Sequence, residues 1–163
     1  MVTAAPPLRS LRGLSWRIHR AFRQPSDLWL ALRIGHFLWY APARMARSAL
    51  PSLLAELAAA PRPAAPDLGA GMERITRLRG LWLRRRRFHS RNTCYLRALT
   101  LFRFLDGSHR RVRIHFGVEP GAGGERHRGH AWVTIDGELW EAPEANTAGR
   151  VQEIFAYPPE GTA

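Results

Sequence analysis

The chain has one cysteine, and its setting is that of a reactive thiol. Cys94 opens the run SRNTCYLRALTLFRFL (90–105), and a second run, GHAWVTIDGELWEAP (129–143), opens with His130. Ser90, Asn92 and Thr93 are good residues for starting a helix. From Cys94, apolar residues follow at Ala98, Leu101, Phe102 and Leu105, the spacing of one helical face, and Asp106-Gly107 stops the run. A thiol at a helix start, with Arg91 and Arg97 as sequence neighbours, is favoured as thiolate, the nucleophilic form. A histidine at the head of a later strand can take its proton. Taken from the helix alone, a buried structural cysteine is an equal reading, because Cys94 lies on the apolar face.

His130 shifts that balance, through the hairpin that carries it. Asp136-Gly137 is a two-residue turn signal between Ala131–Ile135 and 138–142. Such a turn sets Ile135 opposite Glu138, Val133 opposite Trp140 and Trp132 opposite Glu141. His130, Trp132, Thr134, Leu139 and Glu141 then share one face. Glu141 is diagonal to His130, within roughly 7 Å between backbone positions. A carboxylate there can accept the second imidazole N–H and hold the tautomer. Asp136 is the competing acid. It lies six residues from His130, roughly 20 Å along an extended strand, which makes it a turn residue. Glu144 has the wrong parity.

The elements that must position these groups can be read from periodicity. Residues 112–118 alternate, with Val112, Ile114, Phe116 and Val118 on one side and Arg113 and His115 on the other, which predicts a half-buried strand. Residues 121–128 form a glycine-rich, charged loop before His130. Upstream, Leu8, Leu11, Leu14, Ile18 and Phe22 mark a basic amphipathic helix. Residues 28–40 are apolar nearly all round and predict a buried helix, ended or kinked at Pro42. A further helix is expected over residues 51–60, with Leu53, Leu54, Leu57 and Ala58 as its stripe. PRPAAPDLGAG (61–71) reads as a linker. Met72, Ile75, Leu78 and Trp82 predict a helix over 72–88, with Arg84–Arg87 in its last turn, where cations suit the helix dipole. Residues 151–157 are expected to dock as a short helix. The boundary falls in the linker: an Arg-rich helical region over 1–66, and a core over 67–163.

Composition limits the remaining possibilities. The chain has 163 residues, enough for one domain with an extension. All 25 basic residues are Arg, against 13 acids, for a net charge of +12. A single cysteine excludes an internal disulfide and multi-cysteine zinc sites. His115, His127 and His130 fit no common metal-ligand spacing, and no cofactor is expected. No secretory signal is visible, so the cytoplasm is the default location. The Arg surplus admits nucleic acid, an acidic peptide or peripheral contact with an acidic membrane surface; no motif supports nucleic acid, which is disfavoured.

The runs Cys94-Tyr95-Leu96-Arg97-Ala98-Leu99, Ile114-His115-Phe116-Gly117-Val118, His130-Ala131-Trp132-Val133 and Asp136-Gly137 together resemble the transglutaminase-like cysteine protease superfamily. They resemble most closely the catalytic, C-terminal half of the leader peptidases of lasso-peptide biosynthesis. The resemblance covers residues 72–157. It implies an α+β fold: an N-terminal helical region, then a transglutaminase- or papain-like core with the cysteine helix packed on a small antiparallel sheet. It also implies a Cys-His-Asp triad that removes the leader from a ribosomally made precursor peptide. Cys94 and His130 map onto that triad directly, and Glu141 stands where the family usually has Asp. Such peptidases work with a leader-recognition protein, here implied as a separate partner, and with a macrolactam-forming cyclase. Acyl transfer to an amine would use the same residues. Against these stand two other readings, an Arg-rich nucleic-acid-binding protein and a non-catalytic scaffold on the same fold.

Overall fold

A computed structural model of the chain describes residues 22–63, 67–91, 93–105, 112–121, 127–140 and 151–159. Its elements, in order, are α1 (Pro25–Arg47), α2 (Leu50–Ala59), α3 (Leu68–Leu83), a 3-10 turn (Arg86–Arg91), α4 (Cys94–Phe104), β1 (Val112–Glu119), β2 (Arg128–Ile135), β3 (Glu138–Trp140) and β4 (Gln152–Tyr157). The strands form one antiparallel sheet in the order β3-β2-β1-β4. This is the expected α+β class, with the cysteine helix α4 packed against β2 and β1. The amphipathic helix expected over residues 8–22 falls almost wholly outside the described residues, as does the boundary at residue 66.

The sheet's inner face explains why α4 sits where it does. Ile114, Phe116, Ala131, Val133 and Ile135 alternate along β1 and β2 and are all buried, in one cluster with Leu99, Leu101 and Phe102 of α4. Burying a Leu, Ile or Phe side chain contributes about 1.5–3 kcal/mol, so this face holds the helix to the strands. The β2–β3 hairpin has the expected register, Ile135 opposite Glu138 and Val133 opposite Trp140. Asp136 and Gly137 both have positive φ, 52° and 86°, the mirror-image turn that matches strand twist.

Helices α1 and α3 brace this unit. Asp27 is fully buried. It accepts from the backbone N–H of Arg23 (2.7 Å) and Gln24 (3.2 Å), from Arg74 Nε (2.6 Å) and from Arg77 Nη2 (3.0 Å). Burial by itself pushes this carboxyl up. The Arg74 hydrogen bond, the two backbone N–H groups and the Arg74 charge outweigh it and hold the group below the usual carboxylate range. Further along, the Trp82 indole donates to the Ala31 carbonyl (2.7 Å). It fills the space over Gly35, where a Cβ would lie 2.4 Å from the ring.

Four expectations need correction. First, α1 is buried on one face only: Leu28, Trp29, Leu32 and Trp39 are exposed, and the helix runs through Pro42 to Arg47. Pro42 costs a hydrogen bond, but the next turn is held by Met45 against the core and by an ion pair between Arg44 and Glu56. Second, the linker is shorter than its composition suggested. The Asp67 carboxylate accepts from Ala70 N–H (2.7 Å) and starts α3 at Leu68. Third, α3 ends at Leu83, so Arg84–Arg87 lies beyond it. Phe88 turns back into the core against Trp82 and Trp39, with ring centroids 5.6 and 6.2 Å apart. Fourth, residues 152–157 are strand β4, paired to β1, and not a helix. Phe155 and Tyr157 meet Phe116 and Ile114 on the inner face, and a bulge leaves Ile154 unpaired and exposed.

Candidate active site

The thiol and the histidine strand meet at the start of α4. Thr93 caps the helix, its hydroxyl accepting from Leu96 N–H (3.3 Å). Cys94 is therefore the first helical residue, where backbone N–H groups have no partner within the helix. Its side chain is half-buried, and Sγ donates to the Gly129 carbonyl at 3.7 Å. That carbonyl belongs to the peptide bond that leads into His130. The thiol thus lies against the backbone of the histidine strand and is hydrogen-bonded to that carbonyl, not to the imidazole.

Tyr95 secures the approach. A Cβ on residue 129 would lie 2.3 Å from the Tyr95 hydroxyl oxygen, so the phenol occupies the space that glycine leaves. The ring also packs on Phe116, 5.7 Å between centroids. Burial, and secondarily the neighbouring Cys94 charge, pushes the Tyr95 phenol up from its ordinary value. It is a neutral wall beside the thiol.

His130 lies opposite Gly117 on the outer face of the sheet, with Trp132 and Thr134, as the hairpin parity predicted. Its Nε2 is shielded from solvent and lies 3.4 Å from Glu119 Oε2, without the alignment of a hydrogen bond. Both side chains are mostly buried, 15% and 13% exposed, so solvent screens the pair little. Glu119 is the residue that sequence reasoning missed. Its parity in β1 matches His115 and Gly117, but only the β1–β2 register brings it to His130. Glu141, the acid expected from the hairpin, lies outside the described residues. Asp136 is in the turn.

A second polar group shares this face. His115 is buried; Nδ1 lies 2.7 Å from Glu153 Oε2 and Nε2 lies 2.7 Å from Thr134 Oγ1. A carboxylate only accepts, so Nδ1 carries the proton, and in the neutral ring Nε2 accepts from the threonine hydroxyl. The Trp132 indole stacks on His115, centroids 5.4 Å apart and planes 6° from parallel. Both ring nitrogens of His115 are thus engaged, and His127 Nδ1 accepts from Gly121 N–H (3.3 Å). Among the described residues, no group of three or more His, Cys, Asp or Glu is placed to hold a metal ion.

A family model described as the transglutaminase-like superfamily matches residues 28–155, from α1 into β4. The chain therefore belongs to the transglutaminase-like superfamily, which includes cysteine peptidases. No curated protein and no solved structure matches it. No helix among the described residues is long and apolar enough to cross a membrane.

Proposed function

We propose that the chain is a cysteine peptidase that removes the leader from a ribosomally made precursor peptide during lasso-peptide maturation. The observation that carries the catalytic part is the placement of Cys94 at the first position of α4, with Sγ 3.7 Å from the carbonyl that precedes His130. The lasso-peptide part rests on the runs around Cys94, His115 and His130 and on their resemblance to that group of peptidases.

In this reading, substrate binding draws the thiol from the Gly129 carbonyl to the imidazole, which takes its proton. With Nε2 beside Glu119, Nδ1 is the ring nitrogen left for this exchange. The thiolate adds to the peptide carbonyl at the end of the leader. The oxyanion is met by backbone N–H groups of the first turn of α4, that of Cys94 foremost. The imidazolium gives its proton to the leaving amine, and a thioester remains on Cys94. Water, deprotonated by His130, then hydrolyses the thioester and frees the leader. Glu119 orients the imidazole, and Glu141 competes for that role. Catalytic hydrogen bonds are often long before substrate is bound, which accommodates the 3.4 Å between Glu119 and His130. The partners this reading needs are a separate leader-recognition protein and a macrolactam-forming cyclase, with cytoplasmic peptide as substrate.

The test has two stages. Alkylation of Cys94 against pH, in wild type and His130→Ala, reads the thiol directly. Rapid alkylation extending below about pH 7, lost or shifted upward in the variant, is expected of an imidazole-paired thiol. A single curve near pH 8.5, the same in both proteins, is the behaviour of an ordinary thiol and would sink the catalytic reading. Incubation with a leader-bearing precursor and its recognition partner, read by mass spectrometry, should then give one cut that Cys94→Ala abolishes. Cleavage that persists in Cys94→Ala would remove the peptidase assignment.

A further inference from the structure

Away from the thiol, three guanidiniums gather where α1, the end of α2 and the end of α4 meet. Arg33 and Arg103 both donate to one acceptor, the Pro61 carbonyl, each at 3.0 Å. Both lie over the Phe104 ring, 5.6 and 5.0 Å from its centroid, and Arg62 lies over Phe102 at 5.9 Å. The Arg62 Nε is buried and has no hydrogen-bond partner.

This grouping differs from the half-buried arginine pair on α3. Arg74 and Arg77 share the Asp27 carboxylate. No carboxylate among the described residues lies within ion-pair distance of Arg33, Arg62 or Arg103. A neutral carbonyl accepts two hydrogen bonds but offsets no charge. Like charges held this close oppose one another. Burial first, then the charges of Arg33 and Arg62, lowers the affinity of Arg103 for its proton, while Tyr40 acts the other way. The aromatic rings supply some stabilisation, but they do not neutralise the cluster.

We propose that Arg33, Arg62 and Arg103 form an oxyanion site that takes a phosphate group. Planar guanidiniums match phosphate oxygens through paired donors. A phosphate monoester carries about −1.5 to −2 charges and three acceptor oxygens, which suits three neighbouring cations better than the two oxygens and single charge of a carboxylate. The group arrives either on a soluble phosphate ester or on a lipid headgroup. Arg103 is nine residues beyond Cys94 on α4, so the two sites are roughly 14 Å apart along the helix axis. The anion site is separate from the thiol and does not depend on the peptidase reading.

Inorganic phosphate, titrated into the full chain at constant ionic strength set with chloride, tests this by calorimetry and by thermal unfolding. We expect saturable binding with a matching rise in Tm, weakened at least tenfold in Arg62→Gln and in Arg103→Gln. Arg23→Gln, which alters only an exposed pair with Glu73, should leave it unchanged. Circular dichroism establishes that each variant is folded, and the wild-type titration stands by itself if one is not. Capture on phosphatidic acid vesicles, lost in the same two variants, assigns the headgroup as the source; otherwise the source is a soluble ester. No saturation at matched ionic strength, or an equal response in wild type and both variants, overturns the site.

Discussion

Glu119 and His130 face one another from adjacent strands, with Oε2 3.4 Å from Nε2 and both side chains largely out of water. The pair follows from the β1–β2 register, which sets Gly117 opposite His130 and Glu119 opposite Arg128. If Glu119 is the orienting acid, Glu119→Gln should slow precursor cleavage roughly 10²-fold or more, the usual scale of an acid–base contribution. Alkylation of Cys94 well above its own pKa should be unchanged, because the thiolate then needs no base. A larger loss in Glu141→Gln than in Glu119→Gln would move the role to Glu141.

Gly129 gives a prediction that separates packing from chemistry. A methyl there meets the Tyr95 hydroxyl oxygen at 2.3 Å, while the next ring atom is 3.2 Å away. Gly129→Ala should cost about 1–3 kcal/mol in denaturant unfolding, the usual scale of overpacking. Removing the hydroxyl with Tyr95→Phe should recover part of that loss, a coupling visible in a double-mutant cycle. Strict additivity of the two changes would show that the phenol does not hold this space.

Asp27 makes acid stability a property of the α1–α3 contact. Against the opposing effect of burial, its folded pKa is held below the usual carboxylate range by the Arg74 hydrogen bond and the backbone N–H groups. The stability it contributes is therefore complete above the unfolded pKa and is lost as pH falls through the lower, folded one. The window lies below about pH 4. Asp27→Asn should cost about 3–5 kcal/mol at neutral pH, as for one partner removed from a buried ion pair. Its unfolding free energy should also depend less on pH below about 4 than that of wild type. Equal acid limbs in the two proteins would contradict the assignment.

Gly117 holds β4 close. A Cβ at this position would lie 2.6 Å from the backbone carbonyl of Gln152 and 3.0 Å from the Trp132 ring. Backbone cannot swing aside as a side-chain tip can, so Gly117→Ala should push β4 off β1 and part Glu153 from His115. Hydrogen exchange should show lost protection over 152–157, with little change in α4. Unchanged protection in that strand would mean the sheet absorbs the methyl.

Short-range signals carried much of the fold. Thr93 as cap, the apolar period from Ala98 to Leu105, and Asp136-Gly137 with both φ positive are local choices that their own neighbours enforce. They place α4 and the β2–β3 register. The Glu119–His130 pairing is different. It joins two strands through a loop whose length does not specify a register, so no local rule points to it. Strand β4 was hidden by its own irregularity: Val151, Ile154 and Phe155 have the i, i+3, i+4 spacing of a helix because a bulge interrupts the alternation. Trp29 and Trp39 misled in another way. An apolar helix reads as buried all round when nothing in its composition tells which side faces solvent.

The bulge at Ile154 also bears on how the chain tolerates change in length. Phe155 pairs with Phe116 and Glu153 with Gly117, so the ladder passes over one residue. Ile154 is held by neither neighbouring strand, and its side chain is 64% exposed. The strand therefore contains a slack position, where identity is free and even presence is optional. Deleting that residue would turn the bulge into regular pairing with Glu153 still set toward His115 and Phe155 still set toward the core. A deletion on either side would instead move one of those two side chains out of phase. Insertions and deletions in this segment should accordingly be absorbed at a single point.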